Sequence, residues 1–503
     1  MTDKLPEGWA ITRFGDLLLD AQNGCSARSG KGQPTVVLRL ADVSTEGHIA
    51  QSGLRTIPLP PEARKKYALR GGDLLAFRVN GSASIVGQVI CYRGEADYTY
   101  CDHFIRFRSD PDALDPSFAA YAFRAEGIRG QVERYIVNSA GQNTVSQASF
   151  RDVELLLPPL AEQRRIVTKL EVLLAEVNAT RDHLTKVPAI LKRFRQSVLA
   201  AACSGRLTAD WREENPKAGD ASSLVADLQQ THEAAGGHKQ GNAAPPTDEA
   251  HDLTSDELPP TWGLTEMRTA VCPDRPITYG ILKPGPDTTG GIPYIRVADF
   301  PNDRLNLATI RRTTKEIESA YARARLREGD ILLSIRGTVG RVCVVPRELE
   351  NANITQDTAR LSIQPMLNRD FVTWFLRASP TQKRMQKAVK GVAVRGINIG
   401  DVRALQLPVP PLPEQLEIVR RVEGLFALAD DLEDRFANAK AQVDRFTPSL
   451  LARAFRGELV PTEAELAKQQ GCDYESAAAL LERIRGERAA GAAERTGRPN
   501  VSR

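Results

Sequence analysis

Apolar residues in two stretches of this chain return at alternating intervals of four and three, the spacing of a coiled-coil seam rather than of a broad amphipathic stripe. The first seam runs Ile166, Leu170, Leu173, Val177, Thr180, Leu184, Val187, Leu191, Phe194, Val198. The second runs Ile418, Val422, Leu425, Ala429, Leu432, Phe436, Ala439, Val443, Phe446, Leu450. Each position of the second lies 252 residues after its counterpart, with no insertion or deletion. Ordinary core helices average three to four turns, and these seams predict helices about three times longer.

The flanks repeat at the same offset. PPLAEQRRIVTKLEVLLAEV begins at Pro158 and PPLPEQLEIVRRVEGLFALA at Pro410; SVLAAACSGRL begins at Ser197 and SLLARAFRGEL at Ser449. Each Pro-Pro pair stops a preceding strand, Pro413 suits a first helical position, and Glu162 or Glu414 places negative charge in a first turn. Gly205 and Gly457 stand where left-handed caps would end the helices. Pro188 and Pro448, at unmatched positions, predict a kink or break in each. A repeat of this length is a duplicated domain with its helix, not a solenoid unit.

Before each helix lies a region of strands and turns. Strand candidates are PTVVLRLADV, GDLLAFRV, ASIVGQVICY and HFIRFRS in the first, and IPYIRVADF, GDILLSIRG, VGRVCVVP and ARLSIQP in the second. Arg39, Ala41 and Asp42 answer Arg296, Ala298 and Asp299, and Gly72-Asp73 answers Gly329-Asp330, all 257 residues apart. Gly87 and Gly340 are 253 apart, and Asp102 and Asp357 are 255 apart, so the domains have accumulated gaps where the helices have not. The fold class expected is α+β. Residues 231–252 lack large aliphatic side chains and read as a flexible linker. They hold His232, His238 and His251, read as solvated. Past Gly457 a short helix is expected around ESAAALLERIRGER, then a disordered end.

Hydrophobic residues make up 42 % of the 503-residue chain and charged residues 26 %, which describes a soluble globular protein of several domains. A net charge of +4 gives no global attraction to nucleic acid or membrane, so any basic surface must be local. No apolar run is long enough to span a bilayer and the amino terminus has no signal core, so the expected location is cytoplasmic. The cysteines at 25, 91, 101, 203, 272, 343 and 472 form no C-x-x-C pair and read as reduced thiols, without a disulfide frame or metal site.

Catalytic signals are missing. GCSARSGKG (24–32) has five residues between its first glycines where a phosphate loop has four, and Gly32 where a magnesium-binding hydroxyl should follow Lys31. The Pro-Pro pairs are followed by Glu62, Leu160, Thr247, Thr261 and Leu412, none an aromatic that could grip a flipped base. Alternation puts Cys101 and His103 on one face, but with no third partner they read as a core pair. No catalytic residue, metal or cofactor is assigned to this chain.

Positive charge clusters instead in the two β-rich regions: 64–66, Arg311 and Arg312, Arg323 to Arg327, and Lys383, Arg384, Lys387, Lys390 and Arg395. Beside the strands lie polar loops suited to base edges, because arginine grips guanine, and Asn or Gln grips adenine, through paired hydrogen bonds. Their candidate DNA-contacting residues are Arg39, Arg78, Asn80, Gln142, Asn143, Arg296, Arg336, Thr338, Arg341, Arg395 and Asn398.

Two variable regions, each followed by a helix opening PPLxEQ and closing in a small-residue S-G-x-L turn, resemble the specificity subunit of type I restriction-modification systems. LPEGW at Leu5, LPPTW at Leu258 and KVPAILKRFRQSVLAAACSGRLTADW from Lys186 extend the resemblance over nearly the whole chain. It implies target recognition domains at 1–157 and 258–409, long helices with caps at 158–215 and 410–460, a linker at 216–257, and a short helix with a disordered tail at 461–503. It also implies that the helices pair antiparallel and dock two modification subunits and, through them, restriction subunits. Each domain would read half of an asymmetric double-stranded DNA site. S-adenosylmethionine, ATP and magnesium would belong to the partners. The competing reading is a coiled-coil scaffold whose two β-rich adaptors bind proteins.

Overall fold

The computed structural model describes residues 5–27, 31–94, 96–236, 258–389 and 395–496. The chain forms two compact units, Met1–Thr185 with Ala437–Arg503, and Lys186–Phe436. Each contains one mixed domain, half of each long helix and a small helical cap.

The two domains share one strand topology. In domain 1 an antiparallel sheet has the order Leu18–Asn23, Phe104–Ser109, Leu74–Phe77, Val89–Cys91; in domain 2 the order is Thr278–Tyr279, Thr358–Leu361, Ile331–Ser334, Val342–Val344. The LLAF and ILLS strands are buried at every position. Leu74 and Ala76 enter one core while Leu75 and Phe77 enter another, so the sheet is covered on both faces and its strands read as unbroken apolar runs. A three-stranded sheet with one antiparallel and one parallel pairing also recurs: Thr56–Leu59, Gln33–Leu38, Thr99–Tyr100 and Arg311–Thr313, Ile292–Ile295, Asn353–Ile354. In a third match, Ala10–Arg13 pairs with Glu154–Leu157, and Gly263–Glu266 with Gln406–Val409, closing each domain next to its helix.

The long helices span Leu160–Cys203 and Leu412–Ala454. Of the expected kink or break, a break is absent: each helix runs through its proline, Pro188 or Pro448. They run antiparallel: Arg181 pairs with Asp444 in one unit, and Arg195 with Asp430 and Glu433 in the other. Ile166, Leu170, Leu191, Val198, Ile418, Val422 and Val443 are buried, and Leu173, Val177, Leu184, Phe194, Leu425 and Phe436 are half-buried. Leu432 and Phe446 depart from the expected seam, being 43 % and 53 % exposed. Two helices alone cannot enclose every large side chain away from the domain cores.

What fixes each helix to its domain is a clamp at its first turn. Glu162 and Glu414 are buried, and their carboxylates accept from the indole N–H groups of Trp9 and Trp262, at 2.9 Å in both cases. The second Glu162 oxygen accepts from the Glu463 amide at 2.8 Å, while Glu414 takes the Thr208 hydroxyl at 2.7 Å and pairs with Arg212. Burial pushes the Glu162 carboxyl above the ordinary carboxylate range. The next residues, Gln163 and Gln415, are fully buried and bind backbone only. Gln163 donates to the Pro158 and Ala113 carbonyls and accepts from the Asp115 amide; Gln415 donates to the Pro410 carbonyl and accepts from the Asn368 amide. Asp115 and Asn368 in turn cap the helices Pro116–Ala122 and Arg369–Arg377. At the other helix ends Gly205 and Gly457 have φ of 74° and 73°. A Cβ on Gly205 would lie 2.3 Å from Pro259 Cγ, and one on Gly457 2.9 Å from Pro6 Cγ, so the LPPTW and LPEGW segments seat on these glycines.

The caps correct two expectations. The segment 216–257 contains a helix, Ser222–Ala234, which buries Leu228 and includes His232; His238 and His251 lie outside the described residues. In the C-terminal segment the expected helix is present but longer, Ala477–Thr496, and buries Leu480, Leu481 and Ile484 in the core of domain 1, and a further helix, Glu463–Gln470, precedes it. The segments are equivalent, since the Ala221 amide donates to the Thr261 carbonyl and the Ala477 amide to the Gly8 carbonyl, both at 2.9 Å.

Glu162→Ala leaves the Trp9 indole and the Glu463 amide without their acceptor, a local cost of about 2–4 kcal/mol. Hydrogen exchange should show lost amide protection over residues 9–23 with residues 263–281 unchanged, and a smaller loss in Glu162→Gln; unaltered protection at 9–23 would contradict the clamp.

Candidate nucleic-acid interface

In each domain one of the polar loops singled out in the sequence leaves an inner strand of the four-stranded sheet and meets the other alongside it. In domain 1 the chain leaves Leu74–Phe77 through Arg78 into the short strand Val79–Asn80. That strand pairs with Gln142–Thr144, which forms a hairpin with Val137–Ser139. Ala140 and Gly141, with φ of 49° and 79°, make the turn, a left-handed pair that suits a two-residue hairpin loop. In domain 2 the corresponding exit, from Ile331–Ser334, leads to Arg336, which forms a single antiparallel bridge with Gly396. The Arg78 carbonyl accepts from the Val145 amide and the Ile335 carbonyl from the Ile397 amide, at 3.0 and 2.9 Å, which aligns the two edges residue by residue.

This placement separates the candidates into two groups. Gln142, Arg336, Thr338 and Arg395 are exposed on the edge. Arg336 Nη1 donates to Gln356 Oε1 at 3.1 Å, and the Arg395 carbonyl accepts from the Gly337 amide. The others are tied into the fold. Arg39 and Arg296 each grip the aspartate three residues on, Asp42 or Asp299, through two nitrogens, and donate also to the Gly53 or Thr309 carbonyl. The hydrogen-bonded Asp42 holds the Arg39 guanidinium above its usual pKa, and Arg39 holds the Asp42 carboxyl below its own. These pairs brace a tight turn. Arg78 Nη1 reaches the Asp102 carbonyl at 3.4 Å. Asn80 accepts from the Ser82 amide, and buried Asn143 donates to the Gly81 carbonyl and accepts from Asn138. Arg341 donates to the Val297 carbonyl. Asn398 caps the helix Ile399–Ala404, as Ser146 caps Gln147–Arg151.

Of the basic runs, Arg64 pairs with Asp97 and Arg325 with Glu318, Arg384 is buried beside Phe375, and Lys390 lies outside the described residues. Cys101 Sγ lies 3.6 Å from His103 Nδ1 in the turn behind the domain 1 edge, the thiol buried and the imidazole one-third exposed. The hairpin residues Val137 and Ser139 were not singled out in the sequence, although Ala140-Gly141 between polar residues was the available signal. No helix among the described residues is long and apolar enough to cross a membrane.

Residues 43–187 and 283–439, most of both domains with much of each helix, match the family described as the type I restriction modification DNA specificity domain. The chain belongs to that family. The EcoBI specificity subunit of Escherichia coli is 37 % identical, over 70 % of this chain and 68 % of that one. The EcoKI specificity subunit of E. coli K12 is 32 % identical, over 85 % and 83 %. The crystal structure of the HsdS subunit from Thermoanaerobacter tengcongensis aligns with a TM-score of 0.56 at 19 % identity, covering 91 % of this chain and all of that one. A chain from work on assembly and conformational transition of the type I R-M system aligns at 0.61 and 20 %, covering 90 % and 99 %. These two likenesses establish the fold. The family match and the two curated relatives make the chain a type I specificity subunit with two recognition domains, each carrying the same edge built from different residues.

Arg296→Ala removes the partner of buried Asp299 and should cost about 2–4 kcal/mol, seen as a lower unfolding midpoint for domain 2, without altering the DNA sequence recognised. A changed recognition sequence at unchanged stability would make Arg296 a reader.

Proposed function

We propose that each domain reads one half of an asymmetric, bipartite double-stranded DNA site through its loop edge, and that the helix pair sets the unread spacer between the halves. The observation that carries this reading is the recurrence of one exposed edge at one topological place in two domains, with unlike residues on it and with helices of matched length behind it. Unlike edges on a common frame favour an asymmetric site. Phosphate contacts from local basic groups would hold the register while the edge groups discriminate bases. The helices also dock two modification subunits, and restriction subunits join through them; S-adenosylmethionine, ATP and magnesium act in those partners, in the cytoplasm.

The test is to co-express the chain with its modification subunit in a methylation-free host and map N6-methyladenine across the genome. A split, asymmetric motif that depends on this chain supports the reading; a stable, active complex that methylates no motif refutes it. One heptad inserted into each helix keeps the seam in phase and adds about 10 Å of helix, so the spacer should lengthen by about three base pairs with both halves unchanged. Altered halves at constant spacing would refute the ruler role.

A further inference from the structure

The aligned edges show more than a shared position. In an antiparallel ladder, directly opposed residues share a face and successive residues alternate between faces. The domain 1 register pairs Val137 with Thr144, Asn138 with Asn143, Ser139 with Gln142, Asn143 with Asn80 and Thr144 with Val79. One face therefore carries Asn138, Asn143 and Asn80, where the Asn138 and Asn143 amides bond to each other and to the Gly81 carbonyl. The opposite face carries Val137, Ser139, Gln142, Thr144 and Val79. It opens outward toward the hairpin end: Val137 is 65 % exposed, Ser139 and Gln142 are exposed with it, and Thr144 and Val79 are half-buried. A two-stranded ribbon of this kind fits the major groove.

Carried into domain 2 by the alignment of Arg78 with Ile335, the Val79–Thr144 pair becomes Arg336–Gly396. Arg336 thus holds the outward position. A Cβ on Gly396 would lie 2.9 Å from the Ile335 carbonyl oxygen and 3.0 Å from Arg336 Cγ, so the backbone before Arg336 and the arginine stem together occupy the space that a side chain opposite would need. Gln356 Oε1 steadies one end of the guanidinium, which is otherwise exposed.

We propose, on the basis of the DNA-reading function above, that this face reads different base classes in the two domains: Arg336 reads a guanine, while Val137 and Gln142 read A·T pairs. A guanidinium matches guanine O6 and N7, a glutamine amide matches adenine N6 and N7, and valine methyls pack on the thymine methyl. Gly396 is a positioning residue for Arg336. Two halves of unlike composition follow from one fold.

The experiment is a set of methylation maps for wild type, Arg336→Gln, Gly396→Ala and Gln142→Ala in complex with the modification subunit, with thermal unfolding and salt-dependent DNA binding of each complex. Arg336→Gln should relax a single guanine position in one half by about ten-fold or more, with the other half and the unfolding midpoint unchanged. Gly396→Ala should relax the same position, and Gln142→Ala an A·T position in the opposite half. A wild-type motif without guanine in the domain 2 half overturns the proposal. So does an even loss over both halves in Arg336→Gln with a shallower salt slope, the mark of a phosphate contact. In either case the wild-type split motif would still stand, whereas its absence would remove the DNA-reading function itself.

Discussion

The architecture depends on a buried carboxylate at the start of each long helix. A glutamate in the first turn is expected to sit in water and complement the helix dipole. Here Glu162 and Glu414 are enclosed instead, and each accepts an indole N–H from a tryptophan some 150 residues earlier, at the beginning of its domain. The adjoining glutamine reads backbone groups at the mouth of a second helix. Domain entry, domain exit and helix start are thereby held at one point. A buried charge is costly unless its hydrogen bonds are complete, so the clamp tolerates little displacement. That intolerance is what makes a rigid mount for a variable domain.

The long helices, most strands and the duplicated plan were legible because periodicity and internal repetition report directly on burial. Leu74–Phe77 and Ile331–Ser334 read as apolar runs because both sheet faces are covered. The clamp was visible only as recurring letters: LP and Trp, then PPL and EQ, at nearly one offset. Nothing local says that Glu162 is buried, since its partners Trp9 and Glu463 lie far away in the chain. The C-terminal helices were underestimated for the same reason. Ala477–Thr496 is rich in alanine and arginine, and its order comes from the domain 1 core that receives Leu480 and Ile484.

The candidate readers were harder. Polar residues in short loops look alike in sequence, whether they brace a turn or face outward. Arg39 and Arg296 recur with an aspartate three residues on, and that spacing was the signal of a bracing pair. Asn398 begins a short helix as Ser146 does, which marks a cap. Strand register then assigns Val137 and Gln142 to the outward face of the hairpin, and Gly396 accounts for the lie of Arg336. Bracing residues repeat between domains because the fold needs them twice. The outward face does not repeat, which is what two readers of unlike half-sites require.

The most direct measurement is made on a symmetrised chain in which residues 263–409 replace residues 10–157, which keeps Trp9, Glu162 and both helices and supplies the Asn368 backbone where Asp115 stood. If each domain is an independent reader on an equivalent mount, the methylation map of its complex should show the domain 2 half-site twice, as an inverted repeat with the original spacer. A folded, active complex that still methylates an asymmetric motif, or one with altered spacing, would contradict the account.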